Sequence, residues 1–391
     1  MSVTPAAGEE VIHVARPFLG AEEAAAVQEV IASGWIAQGP RVAAFESAFA
    51  SVQGTGQAVA LTSCTTALHL ALLVYGIGPG DDVVVPSLSF IATANAARYV
   101  GARPVFADVD LVTAALTVDT VQAALTPATR AVVLAHQGGV PADADALRQF
   151  CTARDLTLVE DAACAAGSTL RGRPVGQGAL VAAWSFHPRK VITTGEGGMI
   201  TTDDPAIASR LRRLREHGMS VSAAERHGQT RAVQERYLEV GFNFRMTDLQ
   251  AAIGLVQLGR MAGLVAERRA LAARYHALLA DVEGITCVRD PAYGTTNYQS
   301  FWVVLTDARV DRDDVLDRLA EAGISARRGI MAAHLEPAYA GERAGPLPAT
   351  ETLTRRSLIL PLFPGMTEGQ QQRVVGALRA ALTGHPGSPE M

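Results

Sequence analysis

Between Gln57 and Thr202 the chain alternates short apolar runs with stretches whose apolar positions recur at helical spacing. The runs are Gln57–Thr62, Asp82–Pro86, Pro104–Ala107, Ala131–Ala135, Leu156–Glu160, Val181–Phe186 and Gly198–Thr202. Runs this short, with helical patterns between them, predict βαβ units and a mostly parallel sheet covered on both faces. Arg41–Ala50 spaces its apolar residues as a short amphipathic helix, whereas Thr66–Tyr75 is apolar on most sides and is expected to be buried.

From about Met246 the texture changes. A long helical pattern opens at Thr247 and is followed by a strand-like stretch at Ser300–Leu305, a helix near Arg312–Ala322, and a closing strand and helix. This predicts a smaller C-terminal α/β domain. Residues 1–250 are then an N-terminal arm and a large domain, and residues 251–391 a linking helix and the small domain. A chain of 391 residues is more than one core usually fills, which agrees with two domains. The tail, GHPGSPEM, is expected to fray.

Composition narrows the class. Apolar residues make up 49% and charged residues 19%, a globular balance with no sign of disorder. A net charge of -5 gives no electrostatic reason to expect nucleic acid or an anionic membrane as a partner. No uninterrupted apolar run approaches the ~18 residues that span a bilayer, and the first twenty residues show neither a basic nor an apolar signal region. Cys64, Cys151, Cys164 and Cys287 lack metal-type spacing, so reduced thiols, a cytoplasmic setting and no metal site are expected.

In open parallel sheets, ligands bind beyond the carboxyl ends of the strands. Three places qualify here. The first strand runs through Ser63, Cys64 and Thr65 straight into the apolar helix, where free backbone N–H groups could hold a phosphate; an ordinary Ser/Thr cap is the alternative. The fifth strand ends at Asp161, a carboxylate able to face a protonated pyridine nitrogen or else to cap a helix. The sixth leads through Ser185 to Lys190 and a turn, TTGEGG, where a buried amine of lowered pKa could form a Schiff base.

The order of these blocks — Asp161, then Ser185-x-x-x-x-Lys190, then TTGEGG — resembles the DegT/DnrJ/EryC1/StrS aminotransferases, often called sugar aminotransferases. The likeness also runs through GWIAQGPRVAAFESAF, SCTTALHLAL, GDDVVVPSLSFIATANA, VEDAACAAGS, REHGM and GFNFRMTDLQAAIGLVQL, nearly the whole chain. The resemblance implies the aspartate-aminotransferase type of fold (fold type I), with a large domain around a mostly parallel seven-stranded sheet and a smaller C-terminal α/β domain. It also implies pyridoxal 5'-phosphate as cofactor, with pyridoxamine phosphate as the amino-carrying form, and a homodimer with shared sites. Lys190 then matches the lysine that holds the cofactor and shuttles the proton, and Asp161 the partner of the pyridine nitrogen. Phe90 matches the aromatic against the ring, though a core phenylalanine is the plain alternative. Ser63, Cys64, Thr65 and Ser185 match the phosphate cradle, and Asn243 the residue reaching the phosphate from the other subunit.

Two positions depart from the family pattern. Many members carry Gly at Cys64, and Gln or His at Cys164, where the side chain touches the ring or its phenolic oxygen. A thiol bonds more weakly, so small buried filler is the expected part for Cys164. His187 is left outside the catalytic set, and His334, with Arg327 and Arg328, falls in a block that frames the pocket entrance in relatives.

The activity implied is transfer of an amino group from L-glutamate or L-glutamine to a keto-sugar, nucleotide-linked in the leading reading. A keto-cyclitol or another small ketone or aldehyde of specialised metabolism is the alternative within the family. Dehydratases of the family commonly replace the lysine with His, so Lys190 counts against that chemistry. A non-catalytic, cofactor-binding regulator would carry a basic arm or DNA-binding helices, and none is appended.

Overall fold

The computed structural model describes residues 10–221, 234–342 and 344–383. The tail expected to fray lies outside them. Seven strands form the main sheet: β1 (Gln57–Leu61), β2 (Asp82–Pro86), β3 (Arg103–Ala107), β4 (Thr129–Ala135), β5 (Thr157–Asp161), β8 (Val181–Ser185) and β9 (Gly198–Thr202). Two-residue strands β6 (Thr169–Leu170) and β7 (Arg173–Pro174) fall between β5 and β8. The sheet order is β1-β9-β8-β5-β4-β2-β3. Strands β3, β2, β4, β5 and β8 pair in parallel, while β9 runs antiparallel to both β8 and β1.

Both faces of this sheet are covered, which is why its strands are apolar throughout rather than alternating. Every residue of β2 and β9 is buried. The helices are α1 (Ala21–Ser33), α2 (Pro40–Gln53), α3 (Cys64–Val74), α4 (Ile91–Tyr99), α5 (Val118–Ala124), α6 (Ala144–Thr152) and α7 (Pro205–Leu214). Helix α3 lies against β8 and β9, burying Leu68, Leu70, Ala71 and Leu72. On the opposite face Phe45 and Phe49 of α2 meet Phe186 and the fully buried Trp184, whose indole N–H donates to Thr201 Oγ1 at 2.9 Å.

The long helical pattern is α8 (Asp248–Leu278), 31 residues capped by Thr247, whose hydroxyl accepts from the Gln250 N–H. Asp248 is fully buried, and its carboxylate accepts the Gly39, Arg41 and Val42 N–H groups at the start of α2. A carboxylate at a helix N-terminus satisfies orphan donors and opposes the helix dipole. This accounts structurally for the Thr-Asp part of the GFNFRMTDLQ block. By length and composition alone α8 could cross a membrane. Here it packs against α1 and α2 and carries the buried Gln257 and Arg268 within it.

Beyond α8 come β10 (Ile285–Cys287), β11 (Gly294–Thr295), β12 (Phe301–Leu305), α9 (Arg312–Glu321), β13 (Arg327–Arg328), α10 (Pro348–Arg356), β14 (Ser357–Leu360) and α11 (Glu368–Thr383). Strands β10, β12, β14 and β13 make an antiparallel sheet in that order, and β11, β6 and β7 a small third one. The N-terminal arm runs beside the four-stranded sheet: Ile12 bridges Ile324, and the Leu362 N–H donates to the Val14 carbonyl at 3.2 Å. Asp108, just past β3, accepts the Ala349 and Thr350 N–H groups at the start of α10. That carboxylate ties the end of the large sheet to the second layer.

Candidate active site

A cavity of about 470 Å³ opens at the carboxyl ends of β5 and β8. Ser63, Cys64, Thr65, Phe90, Asp161, Cys164, Ser185 and Lys190 all line it. The other sequence candidate, Asn243, does not: it is exposed, and its backbone bridges Glu216.

Each side chain is delivered by a specific piece of backbone. Ser63 caps α3, accepting the Thr66 N–H at 3.2 Å, so the cap reading holds while the same turn also faces the cavity. Gly198 opens β9 beside that turn. A Cβ there would lie 2.3 Å from the Ser63 carbonyl group and 2.6 Å from the Cys64 nitrogen. Backbone cannot yield as a side-chain tip can. Gly198→Ala is therefore expected to displace the first turn of α3 and cost about 1–3 kcal/mol of stability. Chemical unfolding checks this, and wild-type stability in the variant would contradict the close packing.

Phe90 caps α4 and is 66% exposed, so it is not a core phenylalanine. An aromatic ring held open on a cavity wall is free to lie against a flat ligand. Asp161 is buried and caps no helix. Its Oδ1 accepts the Ala163 N–H at 3.2 Å and its Oδ2 accepts the Thr93 hydroxyl at 2.8 Å. Thr93 in turn shares a 2.7 Å contact with the Ser89 hydroxyl, and both are buried. The carboxylate is thus fixed from two sides by groups on α4 and on its own turn.

Lys190 sits within the loop that joins β8 to β9, and its Nζ donates to Cys164 Sγ at 3.0 Å. Burial pulls the ammonium down, but the surrounding Cys164, Cys64 and Asp161 outweigh it and hold the lysine pKa above its ordinary value. The sequence-based expectation of a lowered pKa is corrected accordingly: burial acts as expected, and the neighbouring groups, Cys164 first among them, outweigh it. Burial and then Asp161 push the Cys64 thiol well above its usual range, against the pull of Lys190. Cys164 is half-buried and faces the lysine rather than serving as filler. His187 also faces the cavity; burial first, then Arg189 and Lys190, lower its pKa against the opposing Glu196.

Several lining residues carried no signal of their own. Gln137 anchors its amide on the Leu88 carbonyl at 2.6 Å, and Gln299 and Ser300 arrive from the second sheet's side, where Arg327, of the block expected at the entrance, also lines the wall. Thr93 lies inside the quoted PSLSFIATANA block, so only its bonding was hidden. His334 is not in the wall; its Nδ1 and the Ser87 hydroxyl lie 2.6 Å apart, and Arg328 faces Glu336.

Taken together, helix N–H groups for a phosphate, a primary amine for an aldehyde, a fixed carboxylate for a ring nitrogen and an open aromatic face suit a pyridine aldehyde phosphate. Residues 17–379 match the DegT/DnrJ/EryC1/StrS aminotransferase family. Among solved structures, the aminotransferase TlmJ from Streptoalloteichus hindustanus is 40% identical, with a TM-score of 0.88 over 95% of this chain and 98% of that one. DesV from S. venezuelae, solved in complex with a ketimine intermediate, is 37% identical, with a TM-score of 0.84 over 92% and 93% of the two chains. DesI, solved in the presence of its TDP-sugar product, is 33% identical, with a TM-score of 0.86 over 97% and 95%.

Proposed function

Because the chain belongs to the DegT/DnrJ/EryC1/StrS aminotransferase family, a pyridoxal-phosphate-dependent transaminase, we propose that it moves an amino group from L-glutamate or L-glutamine to a nucleotide-linked keto-sugar. The observation that carries the reading is the meeting of Lys190, Asp161 and the start of α3 in one cavity. A relative solved with its TDP-sugar product supports the nucleotide link.

Pyridoxal phosphate, when bound, supplies the electron sink that makes a donor's α-proton acidic and carries the amino group between substrates. The chain does the rest. The Cys64 and Thr65 N–H groups, with Ser63 and Ser185, would hold the phosphate, and Phe90 would cover one face of the ring. Asp161 would keep a proton on the ring nitrogen. Lys190 Nζ would take the donor's α-proton and return a proton two atoms further along, on the far side of the nitrogen, acting as general base and then general acid. The second half-reaction runs the same residues in reverse on the keto acceptor.

Thr93 acts through Asp161. Thr93→Val is expected to slow turnover roughly tenfold, the scale of one hydrogen bond to a charged group, whereas Thr93→Ser restores it. Equal kcat in both variants would remove Thr93 from the site.

The exposed apolar residues Tyr237, Leu238 and Val240, close to Asn243, support a homodimer in which Asn243 reaches the partner's cavity. Residues 1–250 and 251–391 would be the two domains, both contributing to the cavity wall. Four free cysteines suit the reducing cytoplasm.

The test is visible absorption of the purified protein with added pyridoxal phosphate. The cofactor band should fade with L-glutamate or L-glutamine and return with a 2-oxo acid or a nucleotide-linked keto-sugar. Return with a keto-cyclitol but no keto-sugar would replace the proposed acceptor. A band indifferent to both donors would overturn the proposed donors.

A further inference from the structure

Lys190 Nζ and Cys164 Sγ are 3.0 Å apart, and both face the open cavity. Amino transfer needs the amine and assigns no step to the sulfur. We propose that Cys164 and Lys190 form a reversible oxidative modification site, in which the sulfur, once oxidised by a hydroperoxide, closes on the lysine amine through a sulfur–nitrogen bond.

The chemistry balances in two steps. Cys164 sulfur attacks hydrogen peroxide; the O–O bond breaks, an S–O bond forms, and the thiol proton leaves with the second oxygen as water. The sulfur has lost two electrons and is a sulfenic acid. The Lys190 amine then places its lone pair on that sulfur. The S–O bond breaks, and the hydroxide departs with an amine proton as water, leaving a sulfenamide. Two equivalents of a reducing thiol reverse the change: the first breaks S–N, and the second releases the Cys164 thiol and yields the reductant's disulfide.

Two observations favour this fate over others. The nitrogen already touches the sulfur, so closure needs no loop movement. The competing thiol in the cavity, Cys64, is held in its protonated and weakly nucleophilic form by burial and by Asp161. A closed link withdraws the amine that would hold the cofactor, so oxidation would set the chain aside until it is reduced.

The experiment uses the full chain in cofactor-free form, treated with hydrogen peroxide, digested and read by mass spectrometry. The expected product is one cross-linked peptide pair holding Cys164 and Lys190, short of two hydrogens relative to the reduced pair. Dithiothreitol should abolish it, and pyridoxal phosphate uptake should be lost and regained in parallel. Cys164 recovered as sulfinic or sulfonic acid with Lys190 unlinked overturns the proposal, as does a disulfide between Cys164 and Cys64. The mass readout stands whether or not the chain proves to be an aminotransferase.

Discussion

Lys190→Ala is expected to lower turnover by at least about 10⁴-fold, the upper range for losing a general acid–base, with nucleophilic capture of the cofactor lost as well. Among the residues that line the cavity, Lys190 is the one primary amine, so no neighbour can replace it. Fold should survive, because the side chain ends in an open cavity and its removal leaves space that water can enter. Circular dichroism and size-exclusion elution should match those of the parent protein, while the visible cofactor band and amino transfer disappear. A variant that kept full activity would remove Lys190 from the chemistry. Loss of fold would instead show that the amine has a structural part beside Cys164 and Asp161.

Asp161→Asn should lose about 10²–10³-fold in kcat, the range seen when one fixed electrostatic partner of a developing charge is removed. The amide keeps the shape and can still accept the Ala163 N–H, and Thr93 can reverse its hydroxyl to accept from the new NH₂. What goes is the charge. Cofactor affinity should fall less than turnover, because the phosphate cradle at α3 is untouched. A second readout follows from Lys190. Asp161 is one of the groups holding the lysine pKa up, so removing its charge lowers that pKa. A neutral amine then forms at lower pH, and the limb of the pH–rate profile that reports it should move to lower pH in the variant. A limb that stays put, or moves to higher pH, would place Asp161 too far from the amine to matter.

The positions of the main strands were legible because each is a short apolar run buried on both faces, from QAVAL to GMITT. Direction was not. The apolarity of Gly198–Thr202 says that β9 is buried, and nothing in a doubly buried run tells parallel from antiparallel. Strands β6, β7 and β11 are two residues long, too short for any period to register. The long helix was readable at its start, where Thr247 and Gln250 form a capping box.

The cavity divides in the same way. Lys190, Asp161 and Ser63 stand at strand ends, where chain order alone points to a site. Gln299 and Ser300 reach it from chain more than a hundred residues further on, and only the packing of two sheets brings them there. Arg268 helps by donating to the Tyr298 and Gln299 carbonyls from within α8, and Tyr298 takes a positive φ of 49° in that turn. Local sequence carries no trace of such a link. Asn243 shows the opposite limit: its block was recognisable, yet one copy of the chain does not bring it to the wall.

The outer strand of the large sheet has a bearing on how the protein behaves when concentrated. β3 is an edge, and an edge offers unpaired backbone groups onto which a stranger's strand can build. Its sequence, Arg-Pro-Val-Phe-Ala, would be an inviting template without its first two residues. Arg103 places a charge there, bonded to Asp82 of the inner neighbour, and Pro104 has no N–H to offer. Further along, Phe106 is bridged by Ala344, which covers the apolar half. Resistance to strand addition at this rim therefore rests on an arginine, a proline and a single bridge.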